Sequence, residues 1–487
     1  MPDCFENKAI REQVCFYKAL TVASEGVWMS WPGGSSGLPC TSALSGVTAA
    51  FAPVSPALEA ADYGCTPAAA LDYLGGIWQQ DNGNTAALWK ALREEDGLSA
   101  QLEAVSRSAR AQPFTVEDRQ TLAKVLGPGL RISPSRVEKY YTCRFAYFME
   151  YVLKLRPRRR AEISPDVSGS LVHWVLENAL SRTGDQFEQL PEEDVHRLAE
   201  ELTDEDVKEN LPETGTRFEY LVARLKKSIA GLLLFLQEEQ RQGLFRPAAF
   251  EMGIGMQPGD VPPVTLRTPE GRSIQVIGQI DRVDTMEKDG KTYLRVVDYK
   301  TGEKNFNLKD VYCGLDCQML LYLFTLVRQG QRRFHNPAAA AVLYLMADPA
   351  PKQVDRAQAD ESITYRMDGL ILEDQEVIRA MDQEATGIFV PFGFKKDGSP
   401  SRAGQKLASL EKLGRIQQHI DRLVVQMAQG LYEGKIEALP QCKGVQSPCQ
   451  WCDFRSVCCH QDGKNELPLN APDKPFEEEA ETQEEEQ

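Results

Sequence analysis

Apolar positions along this chain follow two periods, and the change from one to the other marks where a sheet is inserted among helices. Val222, Leu225, Ile229, Leu232, Leu233 and Leu236, with Phe218 and Leu221 before them, recur at helical spacing and predict an amphipathic helix over about 216–240. Ser133-Pro134, with serine as N-cap and proline in the first turn, opens a helix that runs through VEKYYTCRFAYFMEYVL and stops before Pro157. Another helix is predicted over 167–181. From residue 250 the period becomes two. Residues 273–284 (SIQVIGQIDRVD) and 292–299 (TYLRVVDY) read as strands, and Asp289-Gly290 between them predicts a tight hairpin turn. A helix over 308–329, a short buried strand over 338–346 and helical sequence over 403–430 follow. Residues 1–30 read as a short helix and a strand (GVWMSW); residues 31–130 are rich in Gly, Ser, Pro and Ala before turning helical. Helices alternating with a small central sheet indicate an α/β domain over 131–465, preceded by a segment over 1–130 and followed by an acidic tail over 466–487.

Composition narrows the class. Of 487 residues, 42% are hydrophobic, which supplies a core, and the length suggests about three domains. No apolar run reaches the roughly 18 residues of a membrane span, and the first residues lack a secretory pattern, so no membrane and a cytoplasmic location are expected. The net charge of −16 counts against broad electrostatic binding to nucleic acid, but residues 475–487 hold seven glutamates; removing those seven charges from −16 leaves −9. That tail is expected to be disordered, and any DNA contact must come from local basic patches. The run Lys154, Arg156, Arg158, Arg159 and Arg160 is one such patch, with Arg328, Arg332 and Arg333 as further candidates. Each of these charges is equally compatible with a solvated face.

Candidate chemistry gathers on the predicted hairpin. Alternation places Asp298 and Lys300 on one face at a strand end, and Asp281 lies on the partner strand. Two carboxylates and a lysine at one sheet edge suit a hard divalent cation such as Mg²⁺. Such an ion polarises a phosphodiester, with the lysine holding the attacking water or the developing charge. Asp284 reads as an exposed or turn residue. Gly169, His173 and Glu177 share one helical face, with a small residue one turn before the histidine, although a lone histidine is more often a core residue bonded to a carbonyl. Gln318 and Tyr322 are one turn apart on an otherwise apolar helix and could orient the lysine, touch DNA or satisfy buried groups.

Twelve cysteines in a chain without a secretory signal point to metal rather than disulfides. Cys449-x2-Cys452-x5-Cys458 is a metal-type cluster needing a fourth ligand, for which Cys143, Cys442, Cys459, His460 and the Cys313/Cys317 pair are candidates. Zinc and iron–sulfur both accept four thiolates, and spacing alone does not choose.

In order, the chain carries YYTCRFAYF, GSLVHWVLE, GQIDRVD, VVDYKTG, QMLLY and CQWCDFRSVC, with GKIEALP before the last cysteines. This series resembles the RecB-like PD-(D/E)XK nuclease domain over 131–460, and in detail the C-terminal part of helicase/deoxyribonuclease chains of the AddB type. The resemblance implies a restriction-endonuclease-like mixed sheet flanked by helices, with helical additions. It implies His173, Asp281, Asp298 and the Tyr299 carbonyl as Mg²⁺ ligands, Lys300 as catalytic lysine, and Gln318 and Tyr322 as a Q-x3-Y motif. It also implies a [4Fe–4S] cluster on Cys143, Cys449, Cys452 and Cys458 that staples the start of the domain to its end, restricting the unfolded chain. Where the family usually has Cys-Pro-Phe, this chain has Cys143-Arg144-Phe145. REQVCFYKALTVASEGVWMSW (11–31) resembles the last helicase-motif region of the AddB type, yet no G-x4-G-K-[ST] phosphate loop occurs, so a C-terminal portion that neither hydrolyses ATP nor unwinds DNA is expected. The implied activity is exonucleolytic hydrolysis of DNA single strands during double-strand-break resection and recombinational repair, beside a helicase–nuclease partner of the AddA type in a heterodimer. The alternatives are a non-catalytic iron–sulfur DNA-binding scaffold and a stand-alone RecB-like exonuclease of the CRISPR-associated kind.

Overall fold

The computed structural model describes residues 14–25, 66–78, 83–95, 97–109, 115–156, 165–210, 216–300, 304–346, 365, 367–401, 403–444, 446–458, 460 and 466–477. Two compact units are present, Met1–Gln112 and Pro113–Gln487. In the first, residues 14–21 are helical, and helices Pro67–Ile77, Gly83–Arg93 and Ser99–Ala109 bury a small core of Ala70, Leu74, Leu92 and Leu102. The strand expected at GVWMSW lies outside the described residues.

The second unit is built on a six-stranded mixed sheet. Its strands are β1 (Arg246–Ile254), β2 (Gly278–Lys288), β3 (Lys291–Lys300), β4 (Pro337–Met346), β5 (Met367–Leu372) and β6 (Leu407–Ala408), in the spatial order β6-β5-β4-β3-β2-β1. β2 runs antiparallel to both β1 and β3; β3 pairs parallel with β4, β4 antiparallel with β5, and β5 parallel with β6. Val296, Val297, Val342, Leu343, Leu345, Leu370 and Ile371 are all buried, as expected of central strands covered on both faces. The covering helices include α1 (Pro134–Thr142), α2 (Pro165–Thr183), α3 (Thr216–Gln242), α4 (Gln318–Gln329) and α5 (Leu410–Tyr432). α4 packs on β3 and β4, and the apolar stripe of α3 is buried at Ile229, Leu232, Leu233 and Leu236. The expected mixed sheet with flanking helices is therefore present.

Local chemistry explains both the agreements and the departures. Asp289 and Gly290 each take a positive φ, the pair of left-handed residues that a tight hairpin turn needs, and Lys288 pairs with Lys291 across it. The strand expected over 273–284 divides at Ile277. Its first part, Ser273–Val276, pairs with Gly129–Ile132 and Thr265–Arg267 in a separate three-stranded sheet. The helix expected over 308–329 is also broken, into Leu308–Tyr312 and α4, because Gly314 and Asp316 between them adopt positive φ. The helix opened by Ser133 stops at Thr142, where Cys143 is extended (φ −166°, ψ 118°). Ser133 has the extended backbone of a cap, but its hydroxyl bonds Ser135 Oγ at 2.8 Å.

Two expectations are corrected outright. Asp284 is neither exposed nor in a turn: it is fully buried between Arg282 (2.6 Å) and Arg295 (2.8 Å), and Glu239 of α3 closes the quartet. The tail does not depart at 466. Leu467–Pro468 pairs with Gln441–Cys442, and Phe476 packs against the rings of Tyr312 and His419. Residues 478–487 lie outside the described part. Among the described residues, no helix is long and apolar enough to cross a membrane.

Candidate active site

The register of the hairpin sets the site. Arg282 pairs with Val297, and one further step along the same register places Asp281 opposite Asp298, at the end of β3. The Asp281 carboxylate accepts the Tyr299 backbone N–H at 3.2 Å. α2 crosses this edge and delivers His173, whose Nδ1 lies 3.5 Å from Asp281 Oδ2 and whose Nε2 lies 3.0 Å from the Tyr299 carbonyl oxygen. Asp298 is 4% exposed; Lys300 Nζ approaches its Oδ2 at 2.6 Å, and Gln318 Nε2 donates to its Oδ1 at 3.2 Å. His173, Asp281, Asp298, the Tyr299 carbonyl, Lys300 and Gln318 are thus brought together.

Tyr322 is placed differently. Its hydroxyl takes the Gln279 backbone N–H, and a Cβ on Gly278 would collide with that hydroxyl. It pins the start of β2 rather than reaching the carboxylates, and only glycine at 278 allows so close an approach.

Electrostatics make the pocket receptive to a cation. Burial, and then the negative charge of Asp298, push the Asp281 carboxyl up to about 7. Burial and the Glu177 charge also raise Glu251, which lies on β1 between the Phe250–Arg282 and Met252–Ile280 pairs. Carboxylates that burial and mutual repulsion leave reluctant to ionise gain when a divalent ion takes the proton's place. Among the described residues, His173, Glu251 and Asp281 form the one group of three or more whose candidate ligand atoms all lie within 4.8 Å of one another. Sequence reasoning missed Glu251; its signal was a single acid between apolar residues of the strand sequence FEM. It also missed Glu138 on α1, whose Oε1 accepts the backbone N–H of Gln318 at 3.0 Å.

A second constellation lies beyond the far end of α1. Cys143, Cys449, Cys452 and Cys458 line one cavity, together with His460 and Trp451. Cys143, Cys452 and Cys458 pack against a small separate core of Phe145, Ala146, Met149 and Phe454. Burial pushes the Cys143 thiol up to about 11. Arg144 occupies the first helical position after Cys143, where a proline would also fit, and is held at 3.0 Å by Glu437. Cys313, Cys317 and Cys442 do not line the cavity; their thiols face the carbonyls of Asn470, Leu315 and Pro440. Of the basic candidates, Arg156 is exposed and pairs with Glu150, whereas Arg158 and Arg159 lie outside the described residues. Arg328 is committed to Asp421 and so is not a free cation.

Residues 131–459 match the family described as the PD-(D/E)XK nuclease superfamily. A Clostridium botulinum protein, named as the B subunit of an ATP-dependent helicase/deoxyribonuclease, is 32% identical over 377 residues, covering 73% of this chain and 33% of that protein. Proteins of the same name from Clostridium acetobutylicum (33% over 351 residues, 69% and 30% covered) and Thermoanaerobacter pseudethanolicus (30% over 343 residues, 68% and 30% covered) are similar too. The chain spans about a third of the length of the curated relatives it matches.

Proposed function

The chain belongs to the PD-(D/E)XK nuclease superfamily, and from that premise we propose that residues 131–465 form a Mg²⁺-dependent deoxyribonuclease acting exonucleolytically on single strands. The observation that carries this reading is the convergence of His173, Asp281, Asp298 and the Tyr299 carbonyl, from one helix and two neighbouring strands, with Lys300 at their edge.

Those four groups would hold the cation, and Glu251 is near enough to complete the set. The donors are oxygens plus one imidazole, and Asp281 and Glu251 are raised by burial and by neighbouring charge, which fits a hard divalent ion. When bound, such an ion supplies Lewis-acid polarisation of the phosphodiester and acidifies a water. The protein's own part is positional. Gln318 fixes the rotamer of Asp298, and the Asp298 carboxylate keeps the Lys300 ammonium at the sheet edge. From there Lys300 orients the attacking water and offsets charge growing on the phosphate. Tyr322 holds β2, and with it Asp281, in register with β3.

Cys143, Cys449, Cys452 and Cys458 would hold a [4Fe–4S] cluster that joins the start of the domain to its end. Four thiols lining one cavity supply the donors. Four thiolates suit either zinc or an iron–sulfur cluster, and likeness to the RecB-type family favours the cluster. Arg156, Arg158 and Arg159 are assigned to the DNA backbone. By likeness to the helicase/deoxyribonuclease relatives, the work is resection of double-strand ends for recombinational repair, in the cytoplasm, beside a motor-bearing partner of the AddA type.

The test is cleavage of end-labelled single-stranded DNA with and without Mg²⁺, comparing the wild type with Asp298→Ala and Lys300→Ala. Loss of cutting by at least about a hundredfold in both variants is expected. Equal activity in all three would leave a non-catalytic cluster-bearing scaffold as the better account.

A further inference from the structure

The helix that carries Asp298's partner begins without a cap of its own. Cys317 precedes α4 and makes no side-chain bond to its first turn. Helix starts leave backbone N–H groups unsatisfied, and a carboxylate placed there is favoured both as an acceptor and by the helix dipole. The acceptor comes from another element: Glu138 of α1 takes the Gln318 N–H at 3.0 Å. Gln318 is the residue whose side chain then holds Asp298. Glu138 also lies in the field of Lys300 and Lys304, and the latter is ion-paired to Asp316. α1 itself is anchored, because the Tyr141 hydroxyl bonds the Leu423 carbonyl of α5 at 2.7 Å and the Tyr141 ring packs on Gly314, where a Cβ would clash. At its far end α1 runs into Cys143.

We propose that Glu138 is a positioning residue for the nuclease centre: it caps α4 from outside, fixes Gln318, and through Gln318 sets the orientation of Asp298 and Lys300. It touches neither metal nor substrate. α1 then connects the cysteine cavity to the reacting edge of the sheet. Glu138 sits one helical turn before Thr142, the last residue of α1, so an error in the seating of Cys143 is transmitted to Gln318 through a single bond. The inference rests on the catalytic reading of Asp298 but makes a separate structural claim, so the two can fail separately.

The experiment compares Glu138→Ala, Glu138→Asp and Glu138→Gln in the full chain. Glutamine keeps an acceptor oxygen at the same reach; aspartate keeps the charge but is too short. Removing such an outer group costs about 10- to 100-fold in turnover. That loss is expected for Ala and Asp with KM for DNA nearly unchanged, and Gln should recover most of it. Combining Glu138→Ala with Gln318→Ala should add nothing to Gln318→Ala alone, since both break the same path. Hydrogen exchange at the first turn of α4 should quicken in Ala and Asp but not in Gln, a readout that needs no activity. Unchanged exchange at that turn in all three variants, or full additivity with Gln318→Ala, would overturn the proposal. If the wild type exchanges as expected but cuts nothing, the capping role stands and the catalytic reading of the site falls instead.

Discussion

Cation binding at this site must compete with a proton, and the size of that competition follows from Asp281. Its carboxyl is pushed up to about 7 by burial and then by Asp298, with the charge of His173 acting in the opposite direction. A cation binds the ionised form, so its apparent affinity falls tenfold for each pH step below that value and levels off above it. Between pH 7.5 and 5.5 the fall is about 25-fold for a single group with pKa near 7. Calorimetric titration with Mn²⁺ in buffers of different ionisation enthalpy should find about 0.9 proton released per ion near pH 6 and about 0.1 near pH 8. His173→Asn should bind more weakly yet still release the proton, which excludes the imidazole as its source. The metal-free fold carries the mirror image. Because the native carboxyl is raised from 3.8 to about 7, folding takes up a proton between those values. That contribution to stability is complete below pH 4 and is lost as pH rises through 7. Mn²⁺ affinity that stays flat from pH 5.5 to 7.5, with no proton release at pH 6, would refute the reasoning.

Other outcomes are equally concrete. Asp284→Ala strands two buried guanidiniums and should cost about 3–5 kcal/mol in denaturant unfolding; replacement without measurable loss would show that the quartet holds little. Gly278→Ala sets a methyl against the Tyr322 hydroxyl and should destabilise by about 1–3 kcal/mol while slowing cleavage through β2; wild-type values for both would mean that the strand start yields freely. Anaerobically purified protein should be brown, and Cys452→Ala should lose the colour and unfold at lower temperature; a colourless protein with stoichiometric zinc would replace the iron–sulfur assignment. Arg156→Ala should weaken single-strand binding and lower the salt slope by about 0.7; an unchanged slope would remove this residue from the DNA path.

The residues most legible in the sequence were those governed by local rules. Asp289-Gly290 had to turn, alternation had to put Asp298 and Lys300 on one face, and helical spacing set the face on which His173 reached the sheet edge. What escaped depended on partners far along the chain. Asp284 looks like a surface acid until Glu239, Arg282 and Arg295 are brought around it. Glu251 and Glu138 matter only because β1 and α1 come to lie beside β2 and α4. The breaks at Ile277 and at Gly314–Asp316 were hidden because apolar periodicity continues across both, while strand exchange and left-handed backbone interrupt the elements. Phe476 was missed because a glutamate-rich composition dominated its neighbourhood.

The proposed hydrolysis depends on a single ion at the end of β3. Anomalous diffraction from crystals soaked in Mn²⁺ measures that directly. One peak in bonding contact with the His173 ring, the Asp281 and Asp298 carboxylates and the Tyr299 carbonyl oxygen is the expected result. A peak elsewhere, or none under conditions where Mn²⁺ supports cleavage, would contradict it.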